Sequence, residues 1–192
     1  MIEIRMHGRG GQGAVIACKI LANALFREGK FAQSFPAFGV ERRGAPVMAF
    51  TRIDNKPIHL RTEIYEPDHL IILDASLLQT IDVTIGLKPA GKILINSGLE
   101  PSSFKLPQKF DVMTIDANSI AVKHGLGTRS TPIVNTAILG AFSKFTKIIG
   151  VEAIEVAIHE SVPIKKKANV LATHEAYETL KIDPIIHLME HS

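Results

Sequence analysis

The run Gly8-Arg9-Gly10-Gly11-Gln12-Gly13 restricts this chain more than any other six residues in it. It follows a short apolar strand, residues 1–6, and opens a helical pattern over residues 12–28. A strand that turns through glycines into a helix leaves backbone N–H groups and the positive end of the helix dipole facing one point, which suits an anion, typically a phosphate. The spacing Gly8-x-Gly10-x-x-Gly13 also meets the dinucleotide fingerprint. That fingerprint needs a carboxylate about 20 residues further on, at the end of the second strand, to hold ribose hydroxyls. Here Phe31-Ala32-Gln33-Ser34-Phe35 runs into Pro36 without one, and Glu28 falls too early, inside the preceding helix. The glycine turn stands as a phosphate-binding signal, while the nicotinamide reading lacks its second anchor.

Apolar runs suited to buried strands recur after the turn, with helical patterns between them. Residues 31–35 form a second strand, and 47–53 with 57–60 read as a hairpin turned by Asp54 and Asn55. Three unbroken apolar strands follow, 69–73, 92–95 and 111–115, each ending at a polar residue: Asp74, Asn96 and Asp116. From Ile133 the pattern is helical only, over 135–145, 151–160 and 165–180, and 100–109 reads as a surface loop. The expected fold is therefore α/β: an open, mostly parallel twisted sheet with helices on both faces, one hairpin addition and a helical C-terminal part. No linker rich in Pro, Gly or Ser interrupts it, so residues 1–192 read as one domain. In such sheets ligands sit beyond the carboxyl ends of the strands, where Gly8, Phe35, Asp74, Asn96 and Asp116 would cluster.

Composition removes several function classes. Apolar residues make up 46% and charged residues 21%, which is globular rather than disordered. No run approaches the roughly 18 apolar residues of a bilayer span, and the N-terminus alternates apolar and charged side chains instead of forming a signal-peptide core. The chain reads as cytoplasmic, with no membrane partner. A net charge of +3 does not argue for nucleic acid. The single cysteine, Cys18, excludes a disulfide framework, an iron–sulfur cluster or a thiolate zinc site made by this chain alone. Set among Val15, Ile16 and Ile20, it reads as a buried hydrophobe. The eight histidines show no metal-ligand spacing, so no metal is expected. There is no Gly-x-Ser-x-Gly elbow and no Gly-Lys-Ser/Thr after the glycine turn, which removes the usual residues of nucleophilic and nucleotide hydrolysis.

Two further segments carry chemistry. In Phe35-Pro36-Ala37-Phe38-Gly39-Val40-Glu41-Arg42-Arg43-Gly44-Ala45-Pro46, prolines and glycines prevent regular structure around Glu41, Arg42 and Arg43. A loop fixed this way with two guanidinium groups suits a carboxylate or phosphate; the plain alternative is an exposed loop with an internal Glu–Arg pair. In Thr128-Arg129-Ser130-Thr131-Pro132-Ile133-Val134-Asn135-Thr136, hydroxyls and an amide crowd a helix start, where they either cap it or present its N-terminus to a ligand. Lys165-Lys166-Lys167 reads as the solvated first turn of the last helix; Asp74 and Asp116 suit an acid or base role, with capping of the following helix as the plainer reading.

These three blocks together resemble the gamma subunit of the pyruvate (2-oxoacid):ferredoxin oxidoreductases. Gly8 to Gly13 is similar to the family's opening motif, Gln33 to Pro46 with Ala49 to Ile53 to its second block, and Asn135-Thr136-Ala137-Ile138-Leu139-Gly140-Ala141 to its third. The second block favours the pyruvate-type branch over the indolepyruvate branch. The resemblance runs in register from about Glu3 to Leu180. It implies a cytoplasmic hetero-oligomer with alpha, beta and delta-type subunits that hold thiamine diphosphate, magnesium and [4Fe-4S] clusters. The reaction implied is oxidative decarboxylation of a 2-oxoacid to acyl-CoA and CO2, with ferredoxin taking the electrons. This subunit would supply the coenzyme A-associated domain that closes over the thiamine diphosphate site, and would be inactive alone. The residues so implied are Gly8, Arg9, Gly10, Gly11, Gln12, Gly13, Glu41, Arg42, Arg43, Asn135 and Thr136; no catalytic residue is named. Two other readings stay open: a free-standing NAD(P)-binding Rossmann-like reductase, and a non-catalytic scaffold subunit.

Overall fold

Side-chain alternation decides which way each strand faces, and the computed structural model, which describes residues 1–37 and 44–180, follows it closely. β1 (Ile2–Arg9), β2 (Phe31–Pro36), β3 (Pro46–Asp54), β4 (His69–Ile72), β5 (Lys92–Asn96) and β6 (Asp111–Ile115) form one sheet in the order β2-β3-β1-β4-β5-β6. β1, β4, β5 and β6 are parallel, and β3 runs antiparallel to both β1 and β2. Ile4 and Met6 of β1, Ala49 and Ile53 of β3, Ile71 of β4, Leu94 of β5 and Met113 of β6 share one face. Against that face pack α1 (Ala14–Arg27), α2 (Ala117–Lys123), α3 (Ala137–Thr146), α4 (Val151–Ser161) and α5 (Lys166–Thr179). Each large side chain buried here contributes roughly 1.5–3 kcal/mol of transfer free energy.

The expected open, mostly parallel sheet and helical C-terminal part are present, with helical cover unevenly distributed. All five α-helices among the described residues contribute to one face. Leu70, Ile72, Ile93 and Ile95 on the other are covered by a 3-10 turn, Ala75–Gln79, and by chain carrying Val83, Leu87 and Phe110. The covering segment holds Thr80, Ile81, Val83, Thr84 and Ile85, then Gly86 and Pro89, a run of β-branched and breaking residues that disfavours a helix.

Three elements differ from the sequence reading. β1 extends past Met6, because Gly8 and Arg9 pair with Val47 and Pro46; the turn therefore starts at Gly10. The hairpin addition is made by β2 and β3, not by β3 and residues 57–60, which form no strand. Both edges of β3 are already occupied, by β1 along its length and by β2 from Phe31↔Asp54 to Pro36↔Ala49, and Pro57 lacks a donor. The expected turn is there regardless: Asn55 N and Lys56 N donate to Asp54 Oδ1 at 2.7 and 3.3 Å. Finally, β3 separates β2 from β1, so the strand after α1 is not the neighbour of β1 that a dinucleotide βαβ unit requires.

Cys18 is buried within α1, and burial pushes its thiol up to about 12, so it packs as a small hydrophobe.

Candidate functional site: a cleft at the strand ends

Parallel β1, β4 and β5 deliver three polar turns to the same end of the sheet. Gly10, Gly11 and Gln12 follow β1, Asp74 and Ser76 follow β4, and Ser97 and Gly98 follow Asn96 at the end of β5. With Asn118 of α2 and a turn at residues 127–134, they line a cleft of about 840 Å³. That volume falls within the range of small-molecule and cofactor sites.

The glycine turn is braced on the protein side and open on the ligand side. Gly10 N donates to Ala45 O at 2.9 Å, and Gly44 N donates to Gly10 O at 3.0 Å, so the turn is bonded to the exit of the Arg-bearing loop. Gln12 folds back: its Oε1 accepts from Arg9 N at 2.7 Å and its Nε2 donates to Asp74 Oδ2 at 3.2 Å. Arg9 is committed to the scaffold, donating to Asp74 Oδ2 at 3.0 Å, Gly44 O at 3.1 Å and Ser76 Oγ at 2.9 Å. Burial raises the Asp74 pKa, but bonds from the Ser76 hydroxyl and N–H and from Gln12, with the Arg9 charge, outweigh it and hold the carboxyl below its ordinary value. A charged Asp74 is what keeps Arg9 and Gln12 in place.

The last glycine sets the helix. Gly13 has φ +83°, and a Cβ there would lie 2.7 Å from Asn135 Nδ2, so both conformation and space call for glycine. α1 begins with no side-chain cap and no acidic residue in its first turn. Among the described residues its leading N–H groups therefore have no intrahelical or side-chain capping partner, which is the arrangement that receives anions.

The predicted residues separate into three sets. Gly10, Gly11 and Gln12 line the cleft, with Gly8 and Arg9 behind them and Gly13 held against Asn135. Asn135 is buried, and its Oδ1 has no partner among the described residues. Thr136 is fully buried instead: its Oγ1 donates to Asn169 Oδ1 at 2.8 Å and its carbonyl accepts from Thr173 Oγ1 at 3.0 Å, tying the start of α3 to α5. Glu41, Arg42 and Arg43 lie outside the described residues.

Several lining groups lie beyond the residues that the resemblance implies, although the strand pattern already places Asn96 where ligands sit. Asn96 is buried; its Nδ2 donates to Leu73 O at 2.9 Å and Asn118 Oδ1 at 3.1 Å, which leaves Oδ1 without a partner among the described residues. Its position at a strand end was the available signal. Arg129 enters from the turn at 127–134, where the crowding of hydroxyls was visible but its purpose was not. Asp116 caps α2, as expected, accepting from Ser119 N at 2.9 Å. No cluster of three metal-ligating side chains occurs among the described residues, and none of their helices is long and apolar enough to cross a membrane.

Fold and cleft define a class: an open-sheet α/β protein with an uncapped helix and a nucleotide-sized recess at the parallel strand ends. A model of the pyruvate ferredoxin/flavodoxin oxidoreductase family matches residues 3–179, and the chain belongs to that family. It is 50% identical over 188 residues to the pyruvate/ketoisovalerate oxidoreductases common subunit gamma of Pyrococcus abyssi, covering 95% of this chain and 98% of the relative. It is 54% identical over 158 residues to pyruvate synthase subunit PorC of Methanosarcina barkeri, covering 82% and 85%. Among solved structures, pyruvate oxidoreductase subunit PORC of Thermotoga maritima superposes with a TM-score of 0.78 at 34% identity, over 94% of this chain and 97% of that one. A 2-oxoglutarate:ferredoxin oxidoreductase from Magnetococcus marinus shares the fold, with TM-score 0.73 at 20% identity over 95% of this chain and 32% of the longer one. The chain is thus a gamma-type subunit of an oxidoreductase complex, as its motifs implied.

Proposed function

We propose that this subunit supplies the coenzyme A-associated part of a pyruvate-type 2-oxoacid:ferredoxin oxidoreductase and closes over a thiamine diphosphate site carried by another subunit. The observation that carries the reading is the glycine turn with the uncapped N-terminus of α1, opening on a cleft large enough for a nucleotide. Coenzyme A offers that site a diphosphate, the group such a turn receives best. The Magnetococcus relative, of the same fold, is described with 2-oxoglutarate, coenzyme A and succinyl-CoA bound. When bound on partner chains, thiamine diphosphate with magnesium supplies decarboxylation, and [4Fe-4S] clusters pass electrons to ferredoxin.

This chain's own residues then bind and orient. Gly10, Gly11 and the first N–H groups of α1 hold the diphosphate, Arg9 and Gln12 stiffen the turn through Asp74, and Asn135 supports Gly13. Arg42 and Arg43, with Glu41 beside them in sequence, belong to the same reading, the two arginines offering charge to the coenzyme or to the 2-oxoacid. Alpha, beta and delta-type subunits complete the complex, in the cytoplasm. The insertion of β3 between β1 and β2 takes support from a free-standing NAD(P) reductase.

Gly11 has φ +96° and open space beside it, so a branched side chain there projects into the cleft. In the assembled oxidoreductase, Gly11→Val raises the coenzyme A KM by about tenfold or more, a loss of ~1.4 kcal/mol, with subunits still co-eluting on gel filtration. An unchanged KM removes the turn from the coenzyme site.

A further inference from the structure

The arginines that hold this fold together are engaged with protein. Arg5 donates to the carbonyls of Val83 and Ile85, Arg9 to Asp74, Gly44 and Ser76, Arg27 to Glu160, and Arg52 to Glu3 and Glu63. Arg129 differs. It lines the cleft, and it makes no hydrogen bond or ion pair among the described residues.

Its platform is an exposed turn that is nonetheless bonded within itself. Thr128 N donates to Thr131 O and Thr131 N to Thr128 O, both at 3.2 Å, closing a four-residue turn with Arg129 and Ser130 at its tip. The hydroxyls of Thr128, Ser130 and Thr131 bond one another at 2.8–3.0 Å. Behind them, Gly127 bridges Pro132, and Ile133 N donates to Leu126 O at 3.1 Å. The turn satisfies itself and leaves a guanidinium projecting from it.

Among the described residues no carboxylate pairs with Arg129; the Asp116 carboxylate, beside Gly98 and Ser119, is held by Ser119 N and Oγ at 2.9 and 2.6 Å. Glu175 pairs with Lys123 at 2.9 Å and with His124 at 2.7 Å, and is taken up by them. Arg129 stands between the main cleft and a shallower recess of about 420 Å³ lined by Asn118, Ser119, Val122 and Lys123. Both recesses adjoin it, and neither contains a carboxylate in its lining except Asp74, which Arg9 already holds.

We propose that Arg129 reads a phosphate monoester on the bound coenzyme, the glycine turn taking the diphosphate; this rests on the coenzyme A reading above. A guanidinium fork matches two oxygens of a phosphate at once, and a monoester carries more charge than a diester. Holding the fork on a prebuilt turn reduces the ordering cost of binding. Arg129 thus gives the site discrimination between coenzymes that share a diphosphate and differ in a ribose phosphate. Asn96, with its unpartnered acceptor on the same cleft, receives a donor from the neighbouring part of the ligand.

The test compares coenzyme A with its 3′-dephospho form in the assembled oxidoreductase, for the wild-type enzyme, Arg129→Ala and Arg129→Lys. Arg129→Ala raises the KM for coenzyme A about tenfold or more and leaves that for the dephospho form unchanged, and Lys restores part of the difference, having charge but no fork. Equal shifts for both coenzymes, or no shift, overturn the assignment. Loss of assembly on gel filtration also overturns it, placing Arg129 at a subunit contact. If turnover by the wild-type enzyme is independent of either coenzyme, the coenzyme A reading fails and this assignment with it.

Discussion

Over β1, β3 and β2 the two faces of the sheet are sealed by different means, although over β4 and β5 the second face too is closed by apolar side chains. On the helical face, strands and helices meet through aliphatic and aromatic side chains, because a helix satisfies its own backbone and brings an apolar stripe. Under β1, β3 and β2 on the other face, Glu3, Arg5, His7, Gln33 and Arg52 point into covering chain that is not helical. Such chain brings carbonyls that need donors, and the buried arginines supply them: Arg5 Nη2 reaches Val83 O and Ile85 O at 2.8 and 2.7 Å, and Arg52 Nη2 reaches Glu63 O at 3.2 Å. Arg52 also pairs with Glu3 at 2.8 Å and lies over the Phe35 ring. The lesson is that a sheet face can be closed without a helix when its strands carry the donors that irregular backbone lacks.

Breaking the polar face should have the largest effect. Arg52→Met strands a mostly buried carboxylate and a carbonyl at once, and urea unfolding should show a loss of about 3–5 kcal/mol. Adding Glu3→Gln should recover part of it. A loss below about 1 kcal/mol would mean the two faces do not differ in kind.

Acid sharpens the comparison next. Burial, then the Arg5 charge, lowers the His7 pKa to about 3, against an ordinary value of 6.5. His69, on the helical face, is lowered to about 4, chiefly by burial. Each is neutral when folded and takes a proton on unfolding, so stability is full above about pH 6.5 and falls as the pH falls. Between about pH 6 and 4 each removes up to ~1.4 kcal/mol per unit. His7→Gln, which keeps an acceptor for Arg5, should roughly halve the histidine share of the slope; an unchanged slope sinks the buried-neutral assignment.

The smallest change belongs to the apolar face. Ile71→Val, deep beneath the helices, should lower stability by about 0.5–1.5 kcal/mol with no change in pH slope, measured in the same urea series.

Local chemistry was legible in the sequence, and pairing was not. The apolar runs of β4, β5 and β6 and the periodicity of α1, α3, α4 and α5 place those elements within a few residues. In the sequence β1 ends at Met6, because Gly8 reads as turn until its partner Val47 is known. Residues 57–60 read as a hairpin arm because nothing local says that β3 already has two neighbours. The site divides likewise. The glycine turn announces itself through spacing. Thr136 does not reveal that its hydroxyl bonds Asn169, and Arg129 acquires meaning only when its turn is brought over the ends of β4 and β5.

The packing of α1 against α4 has a consequence for synthesis. Ala17, Leu21 and Leu25 are buried in a core whose cover includes Ile154 and Ile158, and the junction is pinned by Glu28 accepting from Gly150 N at 2.9 Å and by Arg27 paired with Glu160. A ribosome adding about 5–20 residues per second releases α1 many seconds before α4. During that interval the first helix has an oily side with no native cover, and its strand has no parallel neighbour until β4 emerges. The nascent chain therefore cannot complete its core from the front end, and a ribosome stalled before α4 would hold an aggregation-prone fragment for a chaperone to shield.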